Sequence, residues 1–255
     1  MHSFALRFRR LALGLLATTA VSFAAAQGAA PSYNVGATAT GVPFTFLDVK
    51  TNTIQGMMVD TVTAVGKAGG FGVNIQQTAF AALIPSLTSS KIDLISAAML
   101  KTPARQQVVD FSDPVYSYGE GLIVKADDAK AYTSLDDLSG EIVGAQVGTV
   151  FLDMLSKKGG FKEVRSYDSV ADMTRDLTLG RIKAGLADQP IIAYQIRQNA
   201  FPGVKLVGSY KPVNVGDVCF VVRKGDTEML TRLNKAIAAV KTDGTLAKII
   251  QKWGV

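Results

Sequence analysis

Histidine is almost missing from this chain of 255 residues, and its scarcity excludes several kinds of chemistry. The only one, His2, stands next to the initiating methionine. Beyond it the chain cannot build a Ser-His-Asp or Cys-His catalytic site, a histidine general base or a metal site of the usual histidine type. We therefore expect neither a metal ion nor another cofactor.

Cysteine is equally scarce, because Cys219 is the only one and no internal disulfide can form. It stands in the apolar run V-C-F-V-V, which is typical of a buried strand. The sequence also lacks clusters of lysine and arginine with interleaved aromatic residues. We therefore expect no nucleic-acid partner.

The first 26 residues have the features of a secretory signal peptide. Three arginines precede the apolar run 11–23, and three alanines at 24–26 form a cleavage site. The run is shorter than the roughly 20 residues that span a bilayer. Without residues 1–26 the chain has 24 basic and 21 acidic residues, a net charge of +3 instead of +6. We expect cleavage after Ala26 and a soluble periplasmic protein with no lipid anchor and no membrane span before Val255.

Short apolar runs alternate with helical stretches from Ser32 onward. This alternation predicts an α/β fold, with parallel strands and with helices on both faces of the sheets. In such folds ligands bind where strands end and helices begin. The main predicted strands are 33–37, 92–96, 121–125, 141–145, 184–187 and 217–223, and the longest predicted helices are 56–68, 227–240 and 245–253.

Candidate binding residues stand where a predicted strand gives way to a helix. Arg105 lies in the first turn after Thr102, where a guanidinium would bind a carboxylate or phosphate. Gly148 permits a close backbone approach, Thr149 offers a hydroxyl, and Asp188 ends a strand. Each also has a simpler interpretation. Arg105 could be a surface arginine, Gly148 and Thr149 a turn with a helix cap, and Asp188 a favourable charge at a helix N-terminus.

Two other kinds of residue have less specific signals. Phe80, Phe44 and Phe151 are aromatic residues that could contact a ligand but more often belong to a core. Glu120 is expected in solvent or in a turn.

Several motifs in order resemble the periplasmic solute-binding proteins of polar amino-acid ABC transporters. The resemblance covers nearly all of the chain after residue 26. It rests on G-V-P-F from Gly41, A-A-L-I-P-S-L-T-S-S-K-I-D-L-I from Ala81 with T-P-A-R and D-F-S-D-P after it, L-T-L-G-R-I-K-A-G-L-A-D from Leu177, V-R-K-G-D from Val222 and D-G-T-L-A-K-I-I-Q-K-W from Asp243.

The resemblance implies a type II periplasmic-binding-protein fold. Each of its two lobes has a mixed sheet flanked by helices, and the ligand lies in the cleft between them. The implied lobe limits are 27–124 and 217–255 for the first lobe and 125–216 for the second. Crossing segments are implied near 124–126 and 215–217.

The same resemblance implies roles for individual residues. Arg105, in the T-P-A-R motif, would bind the α-carboxylate of the ligand, and Asp188 would bind its α-ammonium. Main-chain groups around Gly148 and Ala98 would complete the site. The full set expected to contact the ligand is Thr38, Phe80, Ala98, Leu100, Arg105, Gln146, Gly148, Thr149, Val150 and Asp188.

Three departures from the family pattern bear on specificity. Relatives that bind cationic side chains often carry an aspartate where this chain has Thr38 and an aromatic residue where it has Gly41. The stretch 98–100 is apolar, where serine or glycine is common. Because an unpaired ammonium would be costly to bury there, we expect a ligand that is not a basic amino acid.

Two functions remain open at this stage. The first is a monomeric binding protein, not an enzyme, that closes around an amino acid or a similar small zwitterion or carboxylate and delivers it to an ABC-transporter permease. The alternative is an enzyme on the same scaffold, similar to cyclohexadienyl (prephenate/arogenate) dehydratases. Asp188 would then be its strongest acid candidate.

Overall fold

Two open sheets with helices on both faces make up most of the computed structural model, which describes residues 30–255. The predicted signal peptide, 1–26, lies outside the described residues. A small third sheet has three strands. This architecture confirms the predicted α/β class. Among residues 30–255 no helix is both long and apolar enough to cross a membrane.

The elements follow one another in the alternation that the apolar pattern predicts. The strands are β1 (Ser32–Ala37), β2 (Thr40–Gly41), β3 (Thr45–Asp48), β4 (Thr53–Gln55), β5 (Gly72–Gln77), β6 (Leu94–Ile95), β7 (Val109–Phe111), β8 (Tyr116–Lys125), β9 (Ile142–Gln146), β10 (Glu163–Tyr167), β11 (Ala184–Asp188), β12 (Val204–Leu206), β13 (Val215–Val218) and β14 (Val221–Arg223). The α-helices are α1 (Met57–Gly69), α2 (Leu83–Thr88), α3 (Pro103–Gln106), α4 (Val150–Lys158), α5 (Val170–Thr178), α6 (Gln189–Arg197), α7 (Thr227–Thr242) and α8 (Thr245–Trp253). Single 3-10 turns occupy Phe80–Ala82 and Leu135–Leu138.

The first sheet joins the two ends of the described chain. Its strand order is β5-β1-β6-β14-β7, with β1 parallel to β5 and β6 and with β14 antiparallel to its neighbours. Because side chains alternate between the faces of a strand, Leu94 packs into the core beneath α1 and α7, and Ile95 packs into the core beneath α2. The sheet is therefore covered on both faces.

The second sheet has the order β10-β9-β11-β8-β12. Strand β9 is parallel to β10 and β11, while β8 is antiparallel to β11 and β12. Helix α4 packs on one face through Phe151 and Leu155, and α5 packs on the other through Met173 and Leu177. Both sheets are thus mixed, as the family resemblance implied.

The chain passes between the sheets along β8 and β13, which form an antiparallel pair. Gly119 pairs with Val215, and Tyr116 pairs with Val218. The predicted crossing at 215–217 falls in this pair. Val124 already pairs with Ala184 inside the second sheet, so strand pairing favours a first crossing at 116–119, earlier than 124–126. The lobe limits themselves stay a prediction.

The strand predicted at 217–223 is in fact two strands that belong to different sheets. Val218 ends β13 in the crossing pair, whereas Val221 pairs with β6 and β7 in the first sheet. Cys219 and Phe220 between them are fully buried. The single-strand prediction was wrong because an unbroken apolar run does not show where the pairing partner changes.

The expectation that Glu120 lies in solvent or in a turn was also wrong. This residue of β8 is fully buried. Its carboxylate accepts hydrogen bonds from the Tyr210 hydroxyl at 2.8 Å, the Val213 N–H at 2.6 Å and the Asn214 N–H at 3.0 Å. A buried carboxylate needs such donors, and these three fix the segment that leads into β13.

Candidate functional site

A narrow cleft lies where the first and second sheets face each other. It holds only about 20 Å³ of free volume, roughly enough for one water molecule. The lining residues of the first half are Thr38, Thr40, Gly41, Phe44, Thr45, Phe80, Ala97 and Ala98. Those of the second half are Gln146, Val170, Asp188 and Ile191. Five of the ten predicted residues, namely Thr38, Phe80, Ala98, Gln146 and Asp188, are therefore in the lining.

Arg105 is half-buried and links the two halves of the molecule beside this cleft, although it is not among the lining residues. Its Nη1 donates to the Leu100 carbonyl at 2.6 Å, and its Nη2 donates to the Gly148 carbonyl at 3.0 Å. The guanidinium carbon lies 5.8 Å from the centroid of the Phe80 ring, within cation–π range. These contacts bring Leu100, Gly148 and Phe80 together around one cation. These contacts favour a site role for Arg105 over that of an ordinary surface residue, and its role toward a ligand stays a prediction.

The backbone N–H of Arg105 is less available to an anion than its place in the first turn of a helix suggested. Thr102 caps α3 as predicted, and its hydroxyl accepts from the Arg105 N–H at 3.3 Å. Because this N–H is already bonded and α3 has only four residues, an anion would be held mainly by the guanidinium. Burial lowers the pKa of that group, although an arginine stays charged at any ordinary pH.

Gly148, Thr149 and Val150 form the turn into α4. Gly148 has a φ of 78°, and a β-carbon added there would lie 2.9 Å from the Ala81 Cα of the first half. Thr149 is the N-cap: its hydroxyl accepts from the Leu152 N–H at 3.3 Å and donates to the Gln146 carbonyl at 2.7 Å. The turn-and-cap interpretation thus holds for Thr149, while Gly148 also permits close contact across the cleft. Thr149 and Val150 are not in the lining.

Asp188 ends β11 at the cleft, and α6 begins directly after it. Its side chain makes no capping hydrogen bond to α6. Burial raises the pKa of the carboxyl from 3.8 to about 6, and the neighbouring Tyr118 hydroxyl and the charge of Arg105 oppose that rise. The carboxylate therefore does not cap α6, and it lines the cleft within reach of the charge of Arg105.

The wall nearest β2 and β3 is built of small and hydroxyl-bearing residues. Thr38 Oγ1 and Thr45 Oγ1 lie 2.6 Å apart, and both residues are buried. A β-carbon on Gly41 would lie 3.3 Å from Thr38 Oγ1 and 3.3 Å from the Thr45 carbonyl oxygen. Either hydroxyl can be the donor of the pair, so the wall can offer a proton or a lone pair to a neighbour.

The aromatic candidates separate into two groups. Phe80 and Phe44 line the cleft, and Phe44 is 1% exposed. Phe151 is equally buried but packs in the core beneath α4. A core position is what the sequence favoured for all three, and Phe151 is the one that does not line the cleft.

Sequence reasoning missed several residues of the cleft, including Tyr118. Its hydroxyl donates to the Ala98 carbonyl at 2.8 Å and lies beside the Asp188 carboxyl. No local pattern marks this tyrosine, which precedes the strand predicted at 121–125, as a site residue. The other missed lining residues are Thr40, Thr45, Ala97, Val170 and Ile191. Among residues 30–255 no group of three or more histidine, cysteine or acidic side chains could hold a metal ion.

Comparisons with known sequences find relatives over nearly the whole described chain. Residues 33–255 match the family described as bacterial extracellular solute-binding proteins, family 3. The ABC transporter arginine-binding protein 1 of Escherichia coli (strain K12) is 31% identical over 240 residues, which cover 94% of this chain and 97% of that relative.

Solved structures agree with these sequence relatives. An ancestral arginine-binding protein bound to arginine has a TM-score of 0.80 at 34% identity, covering 88% of this chain and 99% of that chain. An ancestral arginine-binding protein bound to glutamine has a TM-score of 0.79 at 34% identity, covering 87% of this chain and 97% of that chain. An ancestral amino acid-binding protein described as a precursor of cyclohexadienyl dehydratase has a TM-score of 0.78 at 30% identity, covering 87% of this chain and 95% of that chain.

Proposed function

The chain belongs to the bacterial extracellular solute-binding proteins of family 3, and we propose that it binds an α-amino acid with an uncharged side chain for uptake by an ABC transporter. One observation carries the proposal. Arg105 bridges the two halves of the molecule, and Asp188 ends β11 in the lining of the cleft, close enough for the charge of Arg105 to act on its carboxyl. An α-amino acid carries the complementary pair of charges.

Arg105 suits the α-carboxylate of such a ligand. A guanidinium presents five donors in a fork that can bind a carboxylate through two parallel hydrogen bonds. In the structure its donors reach the Leu100 and Gly148 carbonyls, on opposite sides of the cleft. A bound carboxylate would use the remaining donors or replace one of these carbonyls. Asp188, whose side chain is free of capping bonds, suits the α-ammonium.

The side-chain end of the cleft supports a neutral ligand. Asp188 is the only acidic residue in the lining, and Thr38 and Thr45 contribute a neutral hydroxyl pair to it. A ligand guanidinium or ammonium buried there would have no anion of its own, at a considerable desolvation cost. Three of the four proteins named above are described as arginine-binding proteins, so this preference rests on the lining and not on their names. The structure with bound glutamine is consistent with a neutral ligand on this scaffold.

A binding screen tests both parts of the proposal. A thermal-shift survey of the twenty amino acids should identify ligands, and calorimetry at pH 7.5 should rank glutamine, asparagine and serine against arginine and lysine. A ligand at 100 times its Kd should add about 2.7 kcal/mol of stability. If arginine or lysine binds most tightly, the neutral preference is wrong. If no amino acid binds, the whole proposal is wrong.

Thr38→Asp provides a sharper test of the side-chain wall. It adds a carboxylate next to Thr45 and should shift the preference toward lysine or arginine, with Thr38→Asn as the uncharged control. Because Gly41 stands where relatives that bind cationic side chains often have an aromatic residue, the new affinity should stay modest. Equal ligand rankings in the two variants would show that this wall does not read the ligand side chain.

The transport role follows from the two-sheet architecture. Closure of the two halves around a ligand, with bending at β8 and β13, would create the surface that docks on a membrane permease. The proposal includes secretion to the periplasm by the 1–26 signal peptide and action as a monomer.

An enzyme on this scaffold is the second candidate, favoured by the similarity to a dehydratase precursor. Asp188, with a pKa raised to about 6, could act as a general acid. Histidine is missing after His2, so few other groups could share the proton transfers. Measurable turnover of prephenate or arogenate by the purified protein would favour this candidate over transport binding.

A further inference from the structure

One hydrogen bond joins the ends of two helices that belong to different halves of the molecule. Arg197 lies in the last turn of α6, which packs on the second sheet, and its Nη2 donates to the Gly254 carbonyl at 2.9 Å. Gly254 follows α8, which packs against α1 and α7 on the first sheet. The contact therefore crosses from one half to the other, at a place separate from the contact between Arg105 and Gly148.

This contact lies outside the cleft. Helix α6 begins at Gln189, directly after Asp188 in the lining, and ends at Arg197. Because an α-helix rises about 1.5 Å per residue, Arg197 lies about 12 Å further along the helix axis than Gln189. Neither Arg197 nor Gly254 is a lining residue. A ligand in the cleft would therefore not touch this contact.

The donor is held by its own helix. The guanidinium carbon of Arg197 lies 5.7 Å from the centroid of the Tyr194 ring, one turn earlier in α6 and within cation–π range. The acceptor carbonyl lies at the C-terminal end of α8, where carbonyls have no partner inside the helix and the helix dipole favours a cation. An arginine therefore suits this position in both its hydrogen bonding and its charge.

The acceptor is fixed to the first half. Gly254 has a φ of 66°, and its N–H closes α8 by donating to the Ile250 carbonyl at 3.0 Å. Next to it, Trp253 Nε1 donates to Asp60 Oδ2 of α1 at 2.8 Å. The Trp253 ring also meets that of Phe46 from β3 edge-on, with 5.7 Å between centroids. These contacts hold the carbonyl in place for a donor that comes from the other half.

We propose that Arg197 and the Gly254 carbonyl form a latch that stabilises the closed arrangement of the two halves without touching the ligand. Bending at β8 and β13 would move α6 away from α8 and break this bond, so the latch belongs to the closed form. A contact made only in that form raises the affinity for every ligand that closes the cleft by the same factor. The inference rests on the proposed function, because it requires a ligand that closes the cleft. Arg197 then adds to affinity, while the lining residues decide specificity.

Calorimetry and stopped-flow fluorescence with L-glutamine and L-arginine test the latch. Trp253 is the only tryptophan of the chain and lies next to the acceptor, so its emission can follow closure. Arg197→Ala should raise the Kd of each bound amino acid about fivefold, the scale of one exposed hydrogen bond, mainly through faster dissociation.

Two further variants separate the latch from a general loss of charge or structure. Arg197→Lys keeps a donor that can reach a carbonyl and should recover most of the lost affinity. Arg175→Ala is the matched control, because Arg175 is exposed and lies in the last turn of α5 in the same half. It should bind and release both amino acids as the parent does.

The outcomes distinguish this inference from the proposed function. Parent-like Kd and dissociation rates in Arg197→Ala would overturn the latch even if the protein binds amino acids. Unequal factors for L-glutamine and L-arginine would also overturn it, since Arg197 would then act on the ligand itself. If the parent binds no amino acid, the proposed function fails, and the carbonyl carbon resonance of Gly254 in the ligand-free protein decides on the contact. A resonance that moves in Arg197→Ala but not in Arg175→Ala supports the contact, and one that moves in neither overturns it.

Discussion

Replacing Asp188 by asparagine should stabilise the ligand-free protein at neutral pH while it weakens amino-acid binding. Burial raises the pKa of this carboxyl from 3.8 to about 6, so the folded protein disfavours its ionised form. As the pH rises, the unfolded chain loses this proton near pH 4 and the folded protein loses it only near pH 6. The contribution of Asp188 to the free energy of unfolding is therefore fully present below about pH 4 and is lost as the pH rises through 6.

The size of this effect follows from the pKa difference. Each pKa unit is worth about 1.4 kcal/mol, so a rise from 3.8 to about 6 corresponds to at most about 3 kcal/mol. Asparagine has nearly the same shape and no ionisable proton, so Asp188→Asn should avoid this loss. In a protein of this size 1 kcal/mol shifts the melting temperature by about 2–4 °C. The variant should therefore melt several degrees above the parent at pH 7.

Urea unfolding at pH 4, 5, 6 and 7, followed by circular dichroism, measures the difference directly. The gap between variant and parent should be small at pH 4 and grow to its full size at pH 7. Asp153→Asn, on the exposed side of α4, is the control and should show no such growth. The reasoning is refuted if Asp188→Asn has the parent's stability at pH 7, or if its advantage is the same at every pH. With a saturating amino acid the order should reverse, because breaking a buried charge pair costs about 3–5 kcal/mol.

Two further predictions concern the other side of the cleft. Arg105→Ala should abolish calorimetric binding of an amino acid, and Arg105→Lys should restore little of it, because a single ammonium cannot reproduce the guanidinium fork; unchanged affinity in both variants would return Arg105 to an ordinary surface role. Gly148→Ala should weaken binding at least tenfold, because its β-carbon would lie 2.9 Å from the Ala81 Cα and position 148 needs a φ of 78°. Gly159→Ala, where φ is 68° and nothing lies within 4 Å, is the control for backbone strain alone, and equal affinities in the two variants would contradict the role of close approach.

Local signals predicted the parts of the site that depend on neighbours in the chain. Asp188 could be placed because an apolar strand followed by a proline-containing helix start marks the edge of a sheet, and β11 and α6 have those positions. Thr102 could be placed because caps act over three residues, as the bond to Arg105 shows. The expectation that Arg105 and Asp188 belong to one cleft came from the family resemblance and not from any periodicity.

Contacts between distant parts of the chain were out of reach of such signals. The Tyr118 hydroxyl meets a carbonyl twenty residues earlier, and Glu120 meets donors more than ninety residues later, at Val213 and Asn214. Both residues stand in the polar, glycine-containing first half of β8, before the strand predicted at 121–125, and alternation there would indicate only which face a side chain points to. Whether that face holds solvent, core or ligand depends on strand pairing, and pairing is set by residues far away in the sequence.

Specificity is the property that a family assignment carries least well in this protein. In the proposed complex Arg105 and Asp188 would face the groups that every α-amino acid shares, so they could stay the same while the ligand changes. The ligand side chain would meet a separate wall, where Thr38 and Thr45 form a neutral hydroxyl pair and Gly41 leaves space. One acidic residue in that wall would reverse its preference, because a buried cation needs a partner charge. A relative that binds arginine at 31% identity is therefore compatible with a neutral ligand here. The two proteins differ at most positions, and a difference at one or two positions of this wall would be enough to change the ligand.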